Sequence, residues 1–161
     1  MNMLDKQAKT LSKPLEDLYV KAPALPVGAK EFIVSIAPWA ALVFGVLAVV
    51  GSILGLLGLG AAGTLAGAYA PQVAAVAFSG FWFVPLILGF VNGLLMLLAF
   101  KSLQKRHLRG WNLMFWVFLV SLVSSLFSST IIFFSVMGLV WLLVWLVVEL
   151  YFLFQVKSYY K

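Results

Sequence analysis

The sequence KSLQKRHLR, residues 101–109, is a basic segment that separates two long apolar segments. No side chain from Phe32 to Phe100 carries a charge, and the same is true from Gly110 to Val148. Uncharged segments of this length are typical of membrane-spanning helices, and a basic connection between them is typical of the cytoplasmic side of a membrane. This part of the sequence therefore predicts an integral membrane protein.

The composition predicts the same class. Of the 161 residues, 64% are hydrophobic and 10% are charged, whereas roughly half of a soluble domain is apolar and about a quarter is charged. The formal net charge is +6, but the basic residues lie beside apolar segments and do not form the free basic surface that nucleic-acid binding needs. The expected partners are the lipid bilayer and its anionic head groups, and not nucleic acid.

The sequence has no motif for catalysis or metal binding. Without cysteine there is no disulfide framework and no thiolate ligand, and the single histidine, His107, cannot form a multi-histidine site alone. The hydroxyl groups of the apolar segments have no histidine within those segments to act as a base. We therefore expect no enzymatic activity, no cofactor and no metal.

The apolar pattern predicts an all-α bundle of four membrane-spanning helices within residues 32–161. A hydrocarbon core of about 30 Å requires roughly 20 residues of helix. The spans are predicted at residues 36–59, 81–100, 111–128 and 132–156.

Two segments lie outside these spans. In the polar N-terminal segment, residues 1–31, Ser12 followed by Pro14 predicts the start of a short helix. This segment either lies along the membrane interface or docks a partner. Residues 61–80 predict a short helix starting near Pro71, which is either interfacial or re-entrant.

The lysines and arginines predict the orientation. Five lie in residues 1–31, four in the basic segment and two in the tail, residues 157–161, with none elsewhere. Four spans place these three segments on one side, which the positive-inside rule makes cytoplasmic. We predict cytoplasmic termini, a bacterial inner membrane, and binding of anionic lipid head groups by the four basic residues Lys101, Lys105, Arg106 and Arg109.

Small residues on the first two spans predict close helix packing. Lipid gives helices little hydrophobic reason to associate, so close approach of backbones at small side chains supplies much of the contact. Both packing within the chain and packing between copies fit this pattern. The positions are Ala41, Gly45, Ala48, Ser52 and Gly55 on one face of the first span, the neighbouring Gly51, and Gly89 with Gly93 on the second span.

Glu149 is the only charged residue inside a predicted span, where an ionised side chain costs at least about 2.5 kcal/mol unless it is paired. Asn92 lies at a similar predicted depth on the second span, so the two side chains could share a hydrogen bond. Trp145 lies one helical turn before Glu149, from where its indole N–H could reach the carboxyl group.

Serines of the third span extend this polar set. Ser121, Ser125 and Ser128 fall on one helical face, and together with Glu149 they suggest a path for protons or cations. Alternatively, the serines satisfy themselves on backbone carbonyls and hold neighbouring helices together. Both interpretations stay open at this point.

The other tryptophans, Trp39, Trp82, Trp111 and Trp116, are expected to face lipid or the membrane interface. Two functions fit the whole pattern. The first is a structural or accessory subunit, either a homo-oligomer or part of a larger membrane complex. The second is a small oligomeric transporter or channel for protons or cations that depends on Glu149, because one four-helix bundle leaves little room for a pore.

Overall fold

The structure is a computed structural model that describes residues 3–19, 23–69, 83–132 and 136–161; side chains are not described at 3–6, 9, 17–18, 59–69, 127–132, 136–139 and 142. The described residues form five α-helices, one short 3₁₀ helix and no strand. The helices are α1 (Met3–Tyr19), α2 (Val27–Tyr69), α3 (Phe83–Gln104), α4 (Leu108–Ile132) and α5 (Val136–Gln155), followed by the 3₁₀ helix Lys157–Tyr159.

Three helical segments among the described residues are long and apolar enough to cross a membrane. They are Val27–Gly58, Phe83–Gln104 and Leu108–Leu126. The prediction of an all-helical chain is confirmed for the described residues, and the three segments indicate a membrane protein.

α2 is much longer than the predicted first span. It has 43 residues, which at 1.5 Å per residue makes it about 65 Å long, so it extends beyond a hydrocarbon core of about 30 Å. The helix continues past the predicted end of the span at residue 59 to Tyr69, because the following residues include several alanines, the strongest helix former; the span boundary itself stays a prediction. The predicted helix near Pro71 lies outside the described residues.

α1 begins nine residues before the predicted helix start. Ser12 lies inside the helix and is fully buried, as is Ala8 one turn earlier. These two small residues form a face that lets α1 pack against α4 and α5. Tertiary packing therefore overrides the local start signal at Ser12.

α2 and α3 pack closely at the predicted small residues. A Cβ atom added to Gly93 would lie 2.9 Å from the Gly45 carbonyl oxygen, and one added to Gly45 would lie 3.1 Å from the Gly93 oxygen. Added Cβ atoms at Gly55 and Gly89 would also lie within 3 Å of side chains on the opposite helix. The prediction of close packing is confirmed at these four glycines, and the packing is within the chain.

Gly51 does not take part in this packing. A Cβ atom there would meet nothing within 4 Å among the described residues. The adjacent Ser52 is 6% exposed and faces α3. Because a helix turns by about 100° per residue, Gly51 faces away from α3. Gly51 therefore packs against no described helix of the chain, and packing between copies at Gly51 stays a prediction.

The connection between α3 and α4 is tight and binds the C-terminal tail. A Cβ atom on Gly110 would lie 2.7 Å from the backbone nitrogen of Leu103, so only glycine lets α4 begin this close to α3. The Leu108 N–H donates to the Lys161 carbonyl over 2.8 Å, and the Lys161 N–H donates to the Arg106 carbonyl over 2.9 Å. The basic segment and the tail thus lie at the same end of the helices.

Candidate functional site

Glu149 lines two pockets, one formed by α4 and α5 and one to which α2, α3 and the tail also contribute. The first, which we call the serine pocket, has a volume of about 200 Å³ and is lined by Phe118, Ser121, Leu122, Ser125, Trp145, Leu146 and Glu149. The second, the apolar pocket, has a volume of about 180 Å³, and its lining includes Ala37, Trp111, Phe118, Phe152, Tyr160 and Glu149. The carboxyl group is therefore adjacent to hydroxyl groups on one side and to aromatic rings on the other.

Asn92 forms a hydrogen bond with a serine of α4. The predicted hydrogen bond between Asn92 and Glu149 does not form. Its Nδ2 donates to the Ser121 Oγ over 2.6 Å. The reason is the order of the helices in space, because α3 packs extensively against α4, and α5 packs against α4 over fewer residues. Ser121 lines the serine pocket and so connects Asn92 to the surroundings of Glu149.

The other amide atom of Asn92 lacks a partner. Its Oδ1 is buried and accepts no hydrogen bond from the described residues. A buried acceptor without a donor costs about 1–3 kcal/mol. The polar group beside the serine pocket is therefore only half satisfied by the described part of the chain.

Trp145 and Glu149 are close but are not bonded. The Trp145 side chain is 66% exposed and lines the serine pocket. Within the described part of the chain, Glu149 forms neither a hydrogen bond nor an ion pair. Ser121 and Ser125 both line the serine pocket, whereas the Ser128 side chain lies outside the described set.

The chemistry available at the serine pocket is limited to oxygen groups. One carboxyl and two hydroxyl groups can accept and donate protons or bind a cation weakly. Among the described residues there is no group of three or more histidine, cysteine, aspartate or glutamate side chains that could hold a metal ion.

Trp111 was expected to face lipid or the membrane interface, but its side chain is buried. Its side chain is 1% exposed, it stacks on Phe115 with ring centres 5.7 Å apart, and its Nε1–H donates to the Leu153 carbonyl over 2.8 Å. The ring thus bridges α4 and α5. By contrast, Trp39 is 56% exposed, in agreement with a lipid-facing position, while the Trp82 side chain is not described.

A second site, which the sequence did not reveal, lies where the N-terminal segment docks onto α5. Tyr19 stacks on Phe154 at 5.5 Å between ring centres, and the Tyr151 hydroxyl donates to the Pro23 carbonyl over 2.6 Å. Gln155 binds this segment from both sides of its amide, accepting from the Leu25 N–H over 3.3 Å and donating to the Pro23 carbonyl over 3.2 Å.

Charge reinforces the docking. Lys157 and Glu16 form the only ion pair among the described residues, and the Lys157 ammonium also lies 4.7 Å from the centre of the Trp111 ring. The partners are far apart in sequence, so periodicity could not have revealed the contact. The sequence did contain one indication of this contact, a pair of opposite charges. One is an acid on the N-terminal helix, and the other is a lysine just after the last predicted span.

The basic segment is exposed. Lys101, Lys105, Arg106 and Arg109 all present their side chains to the surroundings. Tyr160 lies beside this segment, where burial raises the pKa of its phenol and the Arg106 guanidinium lowers it in part. Binding of lipid head groups by these four residues stays a prediction.

Comparisons with protein-family models, with curated proteins and with solved structures found no match. The class therefore follows from the structure itself: an all-helical protein, in its described part, with three helices able to cross a membrane.

Proposed function

We propose that this chain is a four-span, non-enzymatic membrane protein that acts as an accessory subunit, with both termini in the cytoplasm. Two contacts support the topology. The tail binds the connection between α3 and α4, and the N-terminal segment binds the end of α5. The described N-terminal segment and the tail thus lie at the end of the helices that carries the basic segment, which supports an even number of spans, and α5, with 20 residues, is long enough for a fourth span of about 30 Å.

The observation that carries the accessory role is the surface of α5 around Glu149. Trp141 and Trp145 are each 66% exposed and Leu143 is 58% exposed. Tryptophans belong at the membrane interface more than in mid-span, and an unpaired acid in a span is costly. A helix of a partner subunit packed on this surface would cover the rings and hydrogen-bond the carboxyl group.

The test is the native mass of the protein extracted in mild detergent from its own membrane. We expect co-purification with other membrane subunits, and loss of those subunits in Trp145→Ala. Trp39→Ala is the matched control, because Trp39 is similarly exposed but lies on α2. Recovery of a monomer alone, or equal effects of both variants, would contradict the accessory role.

The serine pocket supports a second candidate, a small oligomeric transporter or channel for protons or cations. The supporting observation is the buried Asn92 Oδ1, which lacks a donor beside hydroxyl groups that face Glu149. In proteoliposomes, this function predicts proton movement that Glu149→Gln abolishes and Glu31→Gln preserves. For an accessory subunit, Glu149→Gln keeps a hydrogen-bonding group and should leave assembly intact.

A further inference from the structure

A pocket of about 500 Å³ lies where the N-terminal segment, α2 and the tail meet; we call it the tail pocket. Its lining includes Glu16, Tyr19, Lys30, Phe154, Lys157 and Tyr160. Lys30 and Glu31 directly precede the long uncharged part of the chain, and Lys157 follows α5. The pocket is therefore at the level of the lipid head groups.

The tail pocket carries an unpaired positive charge. Lys157 is neutralised by Glu16, but Lys30 forms no ion pair with any described residue. The Arg106 guanidinium acts electrostatically on Tyr160 from the neighbouring turn. The charge of the pocket thus favours an anion.

The tail pocket adjoins the apolar pocket, and Tyr160 lines both. The Tyr160 side chain is 5% exposed, yet its hydroxyl makes no hydrogen bond to any described residue. This hydroxyl is not among the buried polar groups that lack a partner, so it is open to the pockets. A ligand at the boundary between the pockets would supply that partner.

We infer that the tail pocket and the apolar pocket together bind one anionic lipid, with its phosphate near Lys30 and the Tyr160 hydroxyl and part of an acyl chain beside Trp111 and Phe118. A free phosphate would occupy the tail pocket alone and leave the aromatic walls of the apolar pocket unused. The apolar pocket therefore favours a lipid over a free anion as the source of the phosphate. This site differs from the exposed basic segment and does not depend on the accessory role.

The test uses the full chain in nanodiscs of phosphatidylcholine, titrated with short-chain phosphatidate and followed by native mass spectrometry. Lys30→Gln should weaken binding about tenfold, the effect of losing one charge-assisted hydrogen bond. Tyr160→Phe and Ala37→Phe should also weaken it, the second by filling the apolar pocket. Lys13→Gln, which removes an exposed lysine outside both pockets and outside the basic segment, is the matched control and should bind as the unaltered chain does.

Two ligand controls need no variant. A diacylglycerol of the same chain length lacks the phosphate, and inorganic phosphate lacks the chains, so each should bind at least about tenfold more weakly than phosphatidate. Inorganic phosphate binding as tightly as phosphatidate would assign the site to a free anion and overturn the inference. Equal weakening by Lys13→Gln and Lys30→Gln would also overturn it, because binding would then follow surface charge.

Discussion

Gly45 and Gly93 bring the backbones of α2 and α3 into contact. A glycine contributes to this packing only when it faces the neighbouring helix. The helical spacing of small residues was sufficient to predict which face of α2 packs. It was not sufficient at Gly51, because two neighbouring faces of α2 both carry small residues, and the choice between them is made by the shape of α3.

Leucine substitutions distinguish Gly93, which packs against the neighbouring helix, from Gly51, which does not. Gly93→Leu should destabilise the protein by about 1–3 kcal/mol, since the new side chain would overlap the backbone of α2. Gly51→Leu should be neutral or slightly stabilising, because the added side chain meets open space and glycine is a weak helix former. Thermal unfolding in detergent measures both; equal losses of stability would show that α2 and α3 do not cross at Gly93.

Tyr160 predicts a dependence of stability on alkaline pH. Burial raises the pKa of its phenol above the ordinary value of 10.0, so the folded state favours the neutral form. The stability that this preference adds to the folded state is fully present below the unfolded pKa of the phenol. It is lost as the pH rises through the higher folded pKa. Relative to the unaltered chain, Tyr160→Phe should therefore have a higher free energy of unfolding at about pH 11 than at about pH 8. The same difference between the two proteins at both pH values would contradict this.

Glu149 and its neighbours show which parts of a site a sequence can predict. The acid was identifiable as the only charge in a predicted span, and the spacing of Ser121 and Ser125 predicted one helical face, which lines the serine pocket. The partner of Asn92 was predicted wrongly, because depth along a helix does not tell which helices are neighbours in space. Trp111 was misjudged for a related reason, since the side chains that cover it come from α5.

At the scale of whole elements, α1 and the segment after it are attached to the C-terminal end of α5. Leu15 and Tyr19 of this helix both contact the rest of the protein. The attachment itself depends on contacts between residues far apart in sequence, and the helix start was wrong because buried Ala8 and Ser12 extend the helix.

The amide of Gln155 provides a test of this attachment. Gln155→Ala removes the acceptor of the Leu25 N–H and a donor to Pro23. Loss of one hydrogen bond of about 1 kcal/mol should speed hydrogen exchange at Leu25 about fivefold. Gln104→Ala, at the exposed end of α3, is the control. No change in Leu25 exchange would mean that the segment is held without Gln155.

At the scale of the whole molecule, the distribution of basic residues predicted the topology that we propose. Charge can predict topology because it acts during insertion, independently of the packing of side chains. The lengths of the helices were less predictable, as α2 shows, because nothing in an alanine-rich sequence marks where the membrane ends.

The absence of cysteine from the sequence allows a clean test of topology. Single cysteines replacing the exposed Gln7, Gln104 and Ser158 should react with a membrane-impermeant maleimide only after the cells are permeabilised. Gln72→Cys, in the connection between the first two predicted spans, should react in intact cells. Labelling of Ser158→Cys from outside would instead require an odd number of spans.

The ion pair between Glu16 and Lys157 joins positions separated by 141 residues. A ribosome adds about 5–20 residues per second, so α1 waits on the order of ten seconds before its docking surface on α5 has been synthesised. During that time the face of α1 that later becomes buried is open to other proteins. The N-terminal segment therefore meets the machinery of membrane insertion before it meets the rest of its own chain.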